Sequence, residues 1–343
     1  MLEFGRKLSK KFMEQLASDV ALRENAWMCD MLRYWRPAGD LIGKHLGEQD
    51  ALQTDGHVLE ENPKHLRLAV RDGSVNFYRA GQSVAKVGLN RWGKLQATIH
   101  NKYVYGKDAK GQGYVTLTSA GFRELRTGRP VRYDGIARLD EWIRNANCHI
   151  GEEKSFVDAV VARNQNVIDL EVGLPAYSDV REERRAPRMD LAALERIGHS
   201  WRIVFWEAKL VGDGRARCSG PVIPKYKPEV LKQLGDYTDW LRHDKNCESV
   251  VLAYRNTCCL LVAFHTIARR FNPDIEELGA GIQAIATPGA PPPEIDDRPR
   301  LLIDARKPNH SFTEHGHLKK LREAGVHVQM IQGDDQMTLE TRS

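Results

Sequence analysis

At 343 residues the chain is longer than one average domain and shorter than three, which predicts two or three structural units with at least one core large enough to need no covalent staples. Hydrophobic residues make up 41% and charged residues 28%, an ordinary balance for a folded soluble protein that excludes wholesale disorder. A count of 51 Lys and Arg against 46 Asp and Glu leaves a net charge of +5, which allows a nucleic-acid partner without demanding one.

From Gly5 to about Tyr34 the apolar residues Leu8, Phe12, Leu16, Val20, Trp27 and Met31 recur at roughly helical spacing and predict one long or broken helix. The start of the chain is charged and lacks a secretory apolar stretch, and no window approaches the ~18 apolar residues of a membrane helix, so the expected location is the cytoplasm. Residues 66–100 are short β-prone runs punctuated by Asp72-Gly73, Ala80-Gly81 and the stretch Asn90 to Gly93, which predicts an antiparallel meander of about four strands. A Gly/Lys-rich stretch at 106–113 and a mixed region follow, closed by an amphipathic helix over 135–147. The six cysteines are scattered with no C-x-x-C pair and read as reduced thiols.

We place a boundary near residue 148, dividing an accessory α+β domain (1–147) from a second domain (148–343). Beyond it the pattern predicts helix 151–163, strands 167–173, 188–194 and 201–210, helix 227–242, strand 249–254 and helix 257–271. Such alternation argues for a mixed α/β layer structure. A Pro/Gly/acidic linker or loop follows at 286–300, and then one more strand, helix and strand to about residue 331.

The most informative stretch is residues 188–210, RMDLAALERIGHSWRIVFWEAKL. Asp190 sits in one β-like run and Glu207 and Lys209 in the next, joined by a turn at Ile197 to Ser200; side chains two apart on a strand share a face. Two carboxylates and an ammonium at the end of an apolar strand are costly unless they serve each other or a ligand. A hard cation answers that cost: Asp190, Glu207 and a backbone carbonyl such as that of Ala208, completed by waters, form the oxygen shell that Mg²⁺ prefers and Mn²⁺ accepts. Such a metal activates water and offsets charge on a phosphoryl oxygen, while Lys209 orients the water or stabilises the anionic transition state.

Asp190, a hairpin, and then Glu207-Ala208-Lys209 resemble the D…(D/E)-x-K signature of the PD-(D/E)xK nucleases, the restriction-endonuclease-like superfamily. The resemblance covers roughly residues 150–254 and implies an αβββαβ core, an (endo)nuclease activity on DNA and a restriction-like or antiviral defence setting. It also implies a catalytic glutamate on the first helix, matched by Glu153, which shares a face with Phe156, Val157 and Val160 while Glu152 points away. A catalytic Gln233 and a substrate-binding Tyr237 match the glutamine and tyrosine that members carry on the helix after the third strand. The residue before Asp190 is Met189 where many members have proline.

Basic residues flank the proposed site: Arg181, Arg184, Arg185 and Arg188 before it, and Arg215, Arg217, Lys225 and Lys227 after it, all suited to phosphates irrespective of sequence. There is no G-x-x-x-x-G-K-[ST] and no G-x-S-x-G, and His315-Gly316-His317 lacks the further ligands of a zinc site. Two rivals stand beside the nuclease: a nuclease-like module that binds nucleic acid or protein without cutting, and an assembly subunit, a homo-oligomer or partner-bound chain, working through residues 1–147.

Overall fold

The computed structural model describes residues 4–42, 64–109, 111–125, 127–175, 188–217, 229–307 and 309–342. The chain is mixed α/β and divides into two compact units, one of Lys7–Ile150 with Leu261–Leu278, the other of Met1–Arg6, Gly151–Leu260 and Gly279–Ser343. One crossing between them falls between Ile150 and Gly151, against an expected boundary near 148. The other crossings, after Arg6, Leu260 and Leu278, leave no trace in local sequence.

In the first unit the amino-terminal helical pattern is broken into α1 (Lys10–Ala17), α2 (Asp19–Glu24) and α3 (Ala26–Tyr34). The break has a cause: Ser9 and Ser18 are extended and accept from the N–H groups of Phe12 and Ala21, so each starts a helix afresh. Five antiparallel strands follow in sequential order, β1 (Arg67–Arg71), β2 (Ser74–Arg79), β3 (Gln82–Leu89), β4 (Leu95–His100) and, after α4 (Asn101–Tyr105), β5 (Tyr114–Leu117). The meander thus has one strand more than expected, in the stretch read as mixed. Ala80 and Gly81 both take positive φ, 39° and 73°, which a tight β2–β3 turn requires for its twist to match the strands. One face buries Val75, Phe77, Val87, Ala97, Ile99, Val115 and Leu117, whereas the alternate positions are polar. The short pair β6 (Phe122–Arg123) and β7 (Pro130–Val131) precedes α5 (Ile136–Asn147), the predicted amphipathic helix, which buries Leu139, Trp142, Ile143 and Ala146.

The second unit begins with α6 (Glu152–Ala162), followed by β8 (Val167–Gly173), β9 (Arg188–Ile197) and β10 (Ser200–Leu210), then α7 (Glu229–Leu241), all close to their expected bounds. The expected strand 249–254 is not one. It lies inside α8 (Asp244–Ala268), a single 25-residue helix that also takes in most of the expected helix 257–271. The β-prone Val250-Val251-Leu252 is overruled because Val250, Tyr254, Cys258, Leu261, Phe264 and Ala268, all buried, recur three or four apart and form one continuous stripe. By length and composition α8 is apolar enough to cross a bilayer, yet over half of its most apolar window is buried inside the protein, as in a core helix.

After α9 (Ala280–Ala286), the Pro-rich stretch contributes β11 (Glu294–Ile295), paired with β10, so it is not wholly a linker. β12 (Arg300–Asp304), α10 (His310–Glu314), α11 (His317–Glu323) and β13 (Val328–Ile331) complete the unit. The sheet runs β13-β12-β10-β9-β8; β9 is antiparallel to both β8 and β10, and β12 and β13 continue parallel to β10. The central strands are buried along nearly their whole length, so any charged side chain there must find a partner.

Candidate active site

The β9–β10 pairing ends at Leu191↔Trp206, and the next step along both strands carries Asp190 and Glu207. Asp190 is 6% exposed, Glu207 3% and Lys209 1%. Where the ladder stops, the carboxylate of Asp190 takes over: its Oδ2 accepts the N–H of Ala208 at 2.8 Å. Its Oδ1 accepts from Lys154 Nζ at 2.6 Å. Lys209 Nζ contacts Glu207 Oε1 and donates to the Ala208 carbonyl at 2.8 Å, so Glu207 and Lys209 share a face as their spacing predicts.

Glu207 Oε2 is buried and, among the described residues, accepts no hydrogen bond. Burial first, and then the charge of Asp190, push the Glu207 carboxyl up to about 8; Lys209 pulls the other way without overcoming them.

Helix α6 aims two further groups at this point. Burial of Phe156, Val157 and Val160 turns Glu153 inward, where its Oε2 lies 3.7 Å from Lys209 Nζ and 3.1 Å from Arg215 Nη2. Glu152 points away and pairs with Lys307, as the helical register predicts. Glu153→Gln is accordingly expected to slow any reaction at this site by more than Glu152→Gln, by about ten-fold against no change; the reverse order of the two rates would show that Glu153 is only a solvated partner of Arg215.

Two residues were missed by sequence reasoning. Lys154 Nζ bridges Asp190 and Glu171, 2.6 Å from each carboxylate. Burial alone would lower the Lys154 ammonium, but Asp190 and Glu171 outweigh burial and hold it up. Glu171 lies on β8 between the pairs Leu170↔Leu191 and Val172↔Met189, across from Asp190, and has φ +50°, a costly conformation for a residue with a Cβ. No local motif signals either, because a lysine in a first helical turn and a glutamate in a strand are commonplace.

The remaining expected residues are placed differently. Tyr237 is fully buried, donates to the Val172 carbonyl at 3.0 Å and packs on Phe205, so it belongs to the core and is not open to a substrate. Gln233 donates to the Arg188 carbonyl at 2.6 Å, tying α7 to the start of β9 two residues from Asp190, a positioning contact. Arg188 is exposed; Arg215 is held by Asp213 and Glu153; Arg217 donates to the Val211 carbonyl at 3.4 Å. Lys225 and Lys227, with Arg181, Arg184 and Arg185, lie outside the described residues.

Among the described residues no group of three or more His, Cys, Asp or Glu forms a ready-made metal cage. The donor set still fits a hard cation: Asp190 and Glu207 lie at adjacent strand positions, and Glu207 Oε2 has no donor. The Asp190 oxygens accept from Lys154 and from the Ala208 N–H, and the Ala208 carbonyl accepts from Lys209, while an oxygen can accept two such bonds. Set against family models, curated proteins and solved structures, the chain matches none.

Proposed function

We propose that the chain is a divalent-metal-dependent nuclease that hydrolyses phosphodiester bonds in DNA, with Asp190, Glu207 and the Ala208 carbonyl as the residues that would hold Mg²⁺ or Mn²⁺. The observation that carries this reading is the buried, donorless Glu207 Oε2 beside a second buried carboxylate and a buried lysine. The order α6-β8-β9-β10-α7, followed after α8, α9 and β11 by β12 parallel to β10, supports it, because the resemblance implies αβββαβ. When bound, the cation would supply an activated water and offset developing charge. Lys209 offers ammonium hydrogens to a phosphoryl oxygen or to the attacking water, and its contacts with Glu207 and the Ala208 carbonyl hold it in place. Glu153 and Asp213 orient Arg215 beside them, able to exchange a carboxylate for a phosphate. Supercoiled plasmid and labelled single strands incubated with Mg²⁺, Mn²⁺ or EDTA test the reading: cutting with either metal and none in EDTA is expected, and intact substrates throughout would sink it.

One observation favours a second reading, a nuclease-like module that binds without cutting: Lys154 already supplies Asp190 with a cation. Lys154→Met separates the two. Its loss leaves Asp190 and Glu171 facing each other, and because the lysine side chain keeps 26% exposure the cost is expected at about 2 kcal/mol, below the range for a fully buried pair. Under the nuclease reading Mg²⁺ restores much of that stability in thermal melts, whereas a binding-only module melts identically with and without Mg²⁺.

A further inference from the structure

The five-stranded sheet of the first unit leaves one face polar, and residues of that face line a hollow. Rows run straight across it: Ser74↔Gly88↔Gln96 at one end, Asn76↔Lys86↔Thr98 in the middle, and His100↔Tyr114 at the other. The small residues Ser74 and Gly88 open a hollow of about 790 Å³, within the range of pockets that hold an organic ligand. Two polar atoms of lining residues, Ser74 Oγ and Asn76 Oδ1, are buried with no hydrogen-bond partner among the described residues, and buried polar atoms ordinarily have one. They sit two apart on β2 and so on one face.

The charge and the aromatics around the hollow point to one class of ligand. Among the described residues Asp72 is the single acidic residue in the lining, against Lys86, which is exposed and pairs with no described carboxylate, and Lys102, which donates to Gln82 Oε1 at 3.3 Å and stacks over Tyr103. After burial, the charges of Lys102 and His100 lower the nearby His149. Tyr114 on β5, in the lining, is 63% exposed, and Trp92 in the β3–β4 turn is 65% exposed with Arg91 stacked on its ring. Leu95 to His100 is five strand steps, or about 17 Å, a length suited to a short extended segment. Cations for a backbone, exposed rings for stacking, and unsatisfied amide and hydroxyl groups for base edges are the elements by which sheet surfaces hold unpaired strands; a duplex offers no free base faces to such rings.

We propose that the open face of the β1–β5 sheet binds single-stranded nucleic acid, with Lys86 and Lys102 on the phosphates, Tyr114 stacking on a base, and Asn76 and Ser74 reading a base edge. This goes beyond the cleavage reading and does not need it, since none of these residues belongs to the carboxylate site. The test is fluorescence anisotropy of the full chain in EDTA with fluorescein-labelled twelve-residue oligothymidylate, unlabelled hairpin duplex and a maltooligosaccharide serving as competitors. Lys86→Glu and Tyr114→Ala, both at exposed positions, are each expected to weaken binding about ten-fold, and Lys86→Glu to reduce the salt slope by about one. Lys319→Glu, the same charge reversal on α11, is expected to bind as wild type. Asn76→Ala adds a lining variant, and melting curves confirm that each protein is folded. Binding within two-fold of wild type in both Lys86→Glu and Tyr114→Ala, no binding by wild type, or displacement by the duplex or the sugar below the concentration of unlabelled single strand needed would overturn the proposal. Failure to cut DNA with Mg²⁺ would count against the nuclease reading alone.

Discussion

On the proposed nuclease reading, Glu207→Gln is expected to abolish divalent-dependent cleavage, by about 10³-fold or more, while leaving a chain that melts no lower than wild type in EDTA. The rate loss follows from removing one of two anionic oxygens for the cation: several kcal/mol of charge stabilisation vanish, and ~4 kcal/mol is roughly a thousand-fold. The unimpaired fold follows from burial. Glu207 is 3% exposed, its Oε2 has no donor, and Asp190 repels its charge, so a neutral amide of the same shape relieves repulsion as it forgoes the contact with Lys209. Asp190→Ala should lose activity as fully, but not so harmlessly. Asp190 holds the Ala208 N–H and shares Lys154 with Glu171, so its removal orphans a buried donor and lowers the melting point; Asp190→Asn, which can keep the Ala208 bond, is the cleaner probe. Full cleavage by either amide variant would end the assignment of these carboxylates. A Glu207→Gln chain that melts well below wild type would show that the Lys209 contact is a structural tie.

The same carboxyl sets a pH dependence of stability. In the folded chain Glu207 titrates near 8, against an unfolded value near 4.5. Between those values the native state binds the extra proton, so stability falls as pH rises from about 4.5 to about 8 and levels off above. Folding is helped most below the unfolded value. The full swing is on the order of 5 kcal/mol, the free-energy equivalent of the shift. In EDTA, the difference in unfolding free energy between wild type and Glu207→Gln is therefore expected to change in that direction across pH 5 to 8. With Mg²⁺ present the slope should flatten or reverse, because a metal binds the deprotonated carboxylate and its stabilisation grows with pH. Denaturant melts at pH 5, 6.5 and 8, with and without metal, check both; parallel curves for the two proteins would mean that Glu207 stays ionised throughout, neutralised by Lys209.

Much of this architecture was legible in the linear chain because it is local. Strand 167–173 shows in its own β-prone run, α5 in its apolar period, and the β9–β10 hairpin in the turn before Ser200. The alternation that puts Glu207 and Lys209 on one face, and the helical spacing that separates Glu153 from Glu152, are properties of a few consecutive residues, and the side-chain contacts follow both. What required the tertiary structure is what depends on partners distant in sequence. Lys154 gains its role only from Asp190 and Glu171, 36 and 17 residues on, and Tyr237 differs from a site residue only because Val172 and Phe205 close over it. The β-prone 249–254 became helix through an apolar stripe that continues to Ala268, beyond any six-residue window. The return of residues 261–278 to the first unit leaves no local mark, since the burial of Phe264 against Trp35 is a pairing of residues more than two hundred positions apart, and side-chain type alone says only that each is apolar.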